Sequence, residues 1–152
     1  MVRREEIDAA QASWGRGVVE IGGAQSWDQA RARAVDLVQV HYFLDDGDLL
    51  FCPTKAAEHQ FRCSLDDAVS YFVGRDPAHR EDGGFALEPW SSVRFENAGV
   101  VCRADVGLAM GNYFFGKKDG TELKVEYSFA YVRDSRGELK IQLHHSALPY
   151  PG

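Results

Sequence analysis

The first forty residues follow a helical rhythm. Ile7, Ala10, Trp14, Val18 and Ile21 fall at spacings of three and four, laying one apolar stripe along a helix that ends near Gly22-Gly23. A second helix follows in "SWDQARARAVDLVQVHYF". Ser26 is placed to cap it, Gln29 to complete a capping box, and Trp27, Ala30, Ala34, Leu37, Val38 and His41 share one face as far as about Tyr42. A turn is predicted at Asp45 to Gly47, then a short strand-like Leu49 to Phe51. A loop comes next around Pro53-Thr54, because proline lacks the amide that a central strand needs. "SLDDAVSYFVG" predicts a short third helix, with Ser64 and Asp67 at its cap, Leu65, Ala68 and Phe72 facing inward and Gly74 at its end. Arg75 to Pro89 is polar and glycine-containing, and is expected to be a loop.

After Trp90 the period changes from helical to alternating. The runs Ser91 to Asn97, Gly99 to Arg103, Leu108 to Phe115, Glu122 to Arg133 and Leu139 to Ala147 each suit a strand. Turn signals at Asp105-Gly107, Asp119-Gly120 and Asp134-Gly137 leave hairpin-sized gaps, which imply an antiparallel meander. Leu123, Val125, Tyr127, Phe129 and Tyr131 alternate and therefore line one sheet face. Helices first and strands second indicate an α+β domain with the helices packed on one face of a bent sheet. The expectation is a single domain over residues 1–152, with helices over about 4–42 and 64–73 and strands over about 91–148.

Composition narrows the function classes. A chain of 152 residues, 45% hydrophobic and 26% charged, buries roughly two-thirds of its unfolded surface in one core. A net charge of -6 argues against nucleic acid or an anionic membrane as the main partner, since both select basic surfaces. No run reaches the ~20 apolar residues of a membrane helix. Cys52, Cys63 and Cys102 lack zinc-type spacing, and the opening MVRREEIDAA has no apolar leader run; both point to a reducing, cytoplasmic setting.

The candidate chemistry concentrates at "LHHSALPY". Adjacent His144 and His145 suggest a metal, but on a regular strand they point to opposite faces and cannot share one ion without a bulge. No HExxH or CxxC motif supports zinc, and His41, His59 and His79 are scattered, each suiting a surface or helix-end position. A Ser-His hydrolase lacks its G-x-S-x-G elbow, and "GKKDGTE" is a hairpin turn rather than a phosphate loop. Glu96 and Glu126 are candidate general bases, with pairing to Arg94, Arg62 or Lys124 on a solvated face as the alternative.

Five ordered stretches, "FCPTKAAEHQFR", "SYFVG", "GFALEPWSSVRFENAGV", "LAMGNYFFGKKDGTELKVEYSFAYV" and "LHHSALPY", together resemble the iota class of carbonic anhydrases. That class is a branch of the NTF2-like proteins, related to the association domain of calmodulin-dependent kinase II. The resemblance runs from about Phe51 to Tyr150. It implies an NTF2-like cone, a homodimer, and reversible hydration of carbon dioxide to bicarbonate. It also implies catalysis without a cofactor, with zinc or manganese as the alternative described in the class. The positions matching the class's bicarbonate-binding hydroxyls are Thr54, Tyr71 and Ser146. Where the class usually reads HHSS this chain has Ala147 in place of the second serine, so no role is carried over for that hydroxyl.

The chemistry suits such a substrate. Hydroxyls both donate and accept, so they can orient water and meet charge growing on carbonate oxygens. They are poor bases near neutral pH, and a neighbouring histidine is the natural proton acceptor or relay. Strand alternation places His144 on the face of Ser146 and selects it over His145, which is kept as a further substrate contact. Phe72, Phe114 and Tyr127 are candidates for an apolar wall. Two other readings stay open: a non-catalytic dimeric NTF2-like module that binds a small ligand, and an isomerase, which needs a buried carboxylate aimed into the cone.

Overall fold

The computed structural model describes residues 1–152 except Asp46 and Asp48. The expected turn at Asp45 to Gly47 includes Asp46 and so lies partly outside the described residues. The described residues form three α-helices, α1 (Arg4–Gly22), α2 (Trp27–His41) and α3 (Leu65–Val73), with five strands, β1 (Leu50–Cys52), β2 (Ser92–Cys102), β3 (Gly107–Gly116), β4 (Glu122–Arg133) and β5 (Leu139–Ala147). The caps are the expected ones. Ser26 Oγ accepts the Gln29 amide at 3.1 Å and Ser64 Oγ the Asp67 amide at 3.2 Å. The Gln29 side chain reaches one residue further back than a capping box does, accepting the Gln25 amide at 2.7 Å. Gly74 leaves α3 at φ 68°, a left-handed turn that glycine takes without strain.

The sheet order is β1-β5-β4-β3-β2. Strands β2 to β5 form the expected antiparallel meander, but the sheet is mixed, because β1 lies parallel to β5 with Phe51 beside His144 and Cys52 beside His145. A parallel neighbour needs a long crossover, here everything from Pro53 to Glu138. Three-residue runs such as Leu50–Cys52 carry no signal of which strand they will join. The two runs expected at Ser91 to Asn97 and Gly99 to Arg103 are one strand with a bulge, the register slipping between Asn97 and Gly99. The bulge bends β2 and with it the sheet. Opposite it Gly111 is a steric requirement, since a Cβ there would collide with the Glu96 carbonyl. The loop after α3 contains a single 3-10 turn, Phe85–Leu87.

Helix α1 presses its stripe of Ile7, Trp14, Val18 and Ile21 onto the sheet's concave face, where Tyr113, Phe115, Val125, Tyr127, Phe129 and Tyr131 are all buried. Each such large side chain contributes roughly 1.5–3 kcal/mol by leaving water. A reciprocal amide pair fixes the helix to the bulge: Gln11 and Asn97 exchange hydrogen bonds of 2.9 Å, and Tyr127 donates to Asn97 Oδ1 at 2.7 Å. The alternation of β4 predicted from sequence is therefore its real inward face.

Candidate active site

Strand β5 aims His144 and Ser146 into the concave side and His145 out of it. Because β1 runs beside β5, the chain leaving β1 at Pro53 carries Thr54 back over the end of β5, and Thr54 Oγ1 stands 2.6 Å from Ser146 Oγ. From Ser146 a chain of contacts runs inward. Ser146 Oγ is hydrogen-bonded to the Tyr113 phenol on β3, and that phenol lies 3.1 Å from His144 Nε2. His144 Nδ1 lies 2.8 Å from the Tyr42 phenol, which accepts the Trp14 indole N–H at 3.1 Å. At the outer end Tyr71 Oη accepts the Lys55 amide at 3.3 Å, and the Thr54 side chain works against the raising of the phenol's pKa by burial.

Thr54, Tyr71, Tyr113, His144 and Ser146 border a cavity of about 10 Å³, walled also by Trp14, Phe51, Phe72, Phe85 and Phe115. That is about the space for one water molecule. Next to it, and opening to solvent, is a vestibule of about 270 Å³ lined by Lys55, Glu81, Glu88 and Trp90 among others. Tyr71 and Phe85 line both spaces, with their rings stacked 5.5 Å apart.

Burial dominates the electrostatics. It lowers the pKa of His144 from 6.5 to about 3, with nearby His145 pushing the same way. The imidazole is thus neutral near pH 7, carrying one N–H and one lone pair. Burial also raises the phenols of Tyr42, Tyr71 and Tyr113 well above their ordinary range, so all three keep their protons. This buried chain is neutral and, apart from the Trp14 N–H, built of groups that both donate and accept.

The model of a family described as metal-independent carbonic anhydrase matches residues 5–148. The chain belongs to that family. It is 35% identical over 153 residues to the metal-independent carbonic anhydrase of Nostoc sp. (strain PCC 7120), covering 98% of this chain and 75% of that one. Among solved structures it is similar to the iota-carbonic anhydrase of a cyanobacterium, a structure complexed with bicarbonate. That likeness has a TM-score of 0.95 at 35% identity and covers 99% of this chain and 94% of the other. A putative dehydratase of the NTF2-like family from Streptomyces avermitilis shares the fold, with a TM-score of 0.56 at 10% identity over 96% and 95% of the two chains. The NTF2-like α+β fold and the carbonic anhydrase family read from the sequence both hold.

As a member of this family the chain works without a metal cofactor, and among the described residues no three His, Cys, Asp or Glu side chains stand together to hold one. Of the residues singled out in the sequence, Thr54, Tyr71, His144 and Ser146 converge on the cavity. His145 does not. It lies on the sheet's outer face, lining a shallow groove with Lys124, Glu126 and Ala147, because neighbours on a strand alternate. Ala147 shares that outer face, so the missing second serine leaves the buried cluster untouched.

Of the candidate wall, Phe72 borders the cavity. Phe114 faces outward beneath the Arg94 guanidinium at 4.0 Å, and Tyr127 is spent on Asn97. Glu96 pairs with Arg94 at 2.9 Å on the outer face, and Glu126 is exposed there, so neither serves as a base in the cone. His79, expected at the surface or at a helix end, is instead buried in the loop after α3, with Nε2 2.7 Å from Asp67 Oδ1 and Nδ1 3.1 Å from His59 Nδ1. His41 does end α2, as its position suggested.

Sequence reasoning missed Tyr113, Tyr42 and Trp14 as members of the site. Tyr113 carried a usable signal, since it alternates inward with Phe115 on a predicted strand, and a buried phenol needs a partner. Nothing local marked Tyr42, whose contact with His144 spans 102 positions.

Proposed function

We propose that Thr54, Tyr71 and Ser146 form the site at which this carbonic anhydrase hydrates carbon dioxide to bicarbonate. The observation that carries this reading is the half-buried contact of Thr54 and Ser146, 2.6 Å apart, against an aromatic wall. Carbon dioxide is apolar enough to lie against Phe51, Phe72 and Phe115, while a water held by the Thr54 and Ser146 hydroxyls attacks its carbon. The new C–O bond forms as one carbon-oxygen π pair moves onto oxygen, and the Tyr71 and Thr54 hydroxyls meet the growing charge as donors. The water's proton passes to Ser146 Oγ as Ser146 hands its own to Thr54, Thr54 its own to Tyr71, and Tyr71 its own to water in the vestibule. The products are bicarbonate and one proton.

His144 enters this scheme as a neutral link. An imidazole whose pKa lies at about 3 is too weak a base to store the proton near neutrality, and the path beyond it ends at the Trp14 N–H, which has no lone pair. Entry to so small a cavity requires Tyr71 and Phe85 to swing apart and join it to the vestibule. The Nostoc relative's name and the bicarbonate of the similar cyanobacterial structure support this reading. An isomerase mechanism finds no base here, since among the described residues the cavity lining contains no Asp or Glu. The test is stopped-flow carbon dioxide hydration on protein stripped with a chelator. Activity is expected to survive chelation and to fall by about tenfold or more in Tyr71→Phe, which loses one donor; a rate no better than buffer would overturn the proposal.

A homodimer through the sheet's outer face is part of the same proposal, supported by exposed Leu108, Met110 and Leu143 on β3 and β5. Sedimentation at micromolar concentration is expected to give twice the chain mass, and a Met110→Lys protein the monomer. The proposed setting is cytoplasmic, supported by the unbridged thiols of Cys52 and Cys102. Among the described residues, no helix is long and apolar enough to cross a membrane.

A further inference from the structure

We infer that Trp14 is a positioning residue: its indole N–H sets the direction of the whole buried chain and thereby, through Ser146, turns the Thr54 proton toward the substrate as a donor. The inference rests on the reading of those two hydroxyls as the bicarbonate site. Its starting point is that an indole N–H can only donate. The Tyr42 phenol accepts it at 3.1 Å, and its one other hydrogen-bond partner among the described residues is His144 Nδ1 at 2.8 Å. For the Tyr42 proton to find a partner it must go to Nδ1, so the neutral imidazole carries its proton on Nε2. That N–H donates to the Tyr113 phenol, which donates to Ser146 Oγ, and Ser146 donates to Thr54 Oγ1. In this direction all five contacts are made and the Thr54 proton is left over at the pocket end.

The opposite direction fails at one atom. If Nδ1 carried the proton, Tyr42 would receive two donors and its own proton would face a dry core without an acceptor, which buried groups avoid. The protons of Tyr113, Ser146 and Thr54 would then all point inward, presenting lone pairs to an anion. One indole N–H therefore decides whether the pocket attracts or repels bicarbonate. It also gives the hydroxyls the order in which a proton moves outward from Ser146 to Thr54 and Tyr71.

The experiment reads the His144 tautomer from imidazole 15N shifts and bicarbonate affinity by NMR titration, in wild type, Trp14→Phe and Tyr42→Phe. The second variant keeps ring volume where the first leaves a gap in the core. Wild type is expected to show Nδ1 unprotonated. Both variants are expected to gain Nδ1-protonated imidazole and to bind bicarbonate about tenfold more weakly, the scale of one misdirected buried hydrogen bond. A wild-type His144 protonated on Nδ1, or a tautomer ratio unmoved in both variants, overturns the assigned direction. A moved tautomer with unchanged bicarbonate affinity overturns the positioning role. Wild type with the expected tautomer but no bicarbonate shift at Thr54 or Ser146 overturns the proposed substrate site instead, so the two failures are distinct.

Discussion

Replacing Ser146 by alanine is expected to lower carbon dioxide hydration by about a hundredfold, the lower end of what a positioned proton-transfer group contributes. Its hydroxyl is the joint of the site, touching Thr54 on one side and Tyr113 on the other. Without it the outer hydroxyls lose their link to the chain that directs them, and the attacking water loses the oxygen that takes its proton. The side chain itself packs little, so the fold should tolerate the change. Tyr113 and Thr54 would each lose a buried partner at about 1–3 kcal/mol, less where a water takes the vacated place. Stopped-flow rates across carbon dioxide concentrations separate the roles. Loss in kcat marks a contact made in the transition state, whereas a rise in KM alone marks ground-state binding. Turnover within twofold of wild type, in a protein that melts as usual, would remove Ser146 from the mechanism.

Much of this geometry was legible before any coordinates. A strand's two-residue period settled that His144 and His145 cannot act together, and it put Ser146 with His144, as the inward pair on β5 demonstrates. The meander was legible because its turns announce themselves with aspartate and glycine. What escaped was long-range pairing. Nothing in "LLFCPT" says that β1 lies parallel to β5, yet only that pairing brings Thr54 to Ser146 across 92 positions. The joining of two predicted strands across a bulge escaped for a similar reason, since the alternation breaks at Ala98, which the pairing absorbs as an extra residue. His79 was misplaced because its burial depends on Asp67, twelve positions away across the end of α3. A composition-based guess cannot see such a partner.

The largest stability effect is expected from Asp82→Asn. Arg62 is among the largest fully buried side chains, and it makes a two-pronged ion pair with Asp82 through Nη1 and Nη2, both at 2.8 Å. The same guanidinium donates to the His59 carbonyl at 2.8 Å and the Asp67 carbonyl at 2.9 Å, and Ser70 Oγ donates to Asp82 at 2.6 Å. Glu81 alongside gathers the amides of Ala57, Glu58 and His59, the loop that follows Thr54 and Lys55. Asparagine keeps the shape at residue 82 but removes the anion in direct contact with the buried Arg62, leaving Glu81 at 4.0 Å as a longer ion pair, which costs about 3 kcal/mol, the lower end for a broken buried pair. In a domain of this size that is a fall in melting temperature of roughly 10 °C. Replacing both partners by apolar side chains should cost less than the single change, because no charge is then stranded. The pair also tethers the loop that presents Thr54, so Asp82→Asn should lose activity at temperatures well below its own melting point. Parallel thermal melts and rate measurements check both statements. A melting temperature within about 2 °C of wild type, or activity that tracks the melt alone, would show that the ion pair does not hold the site.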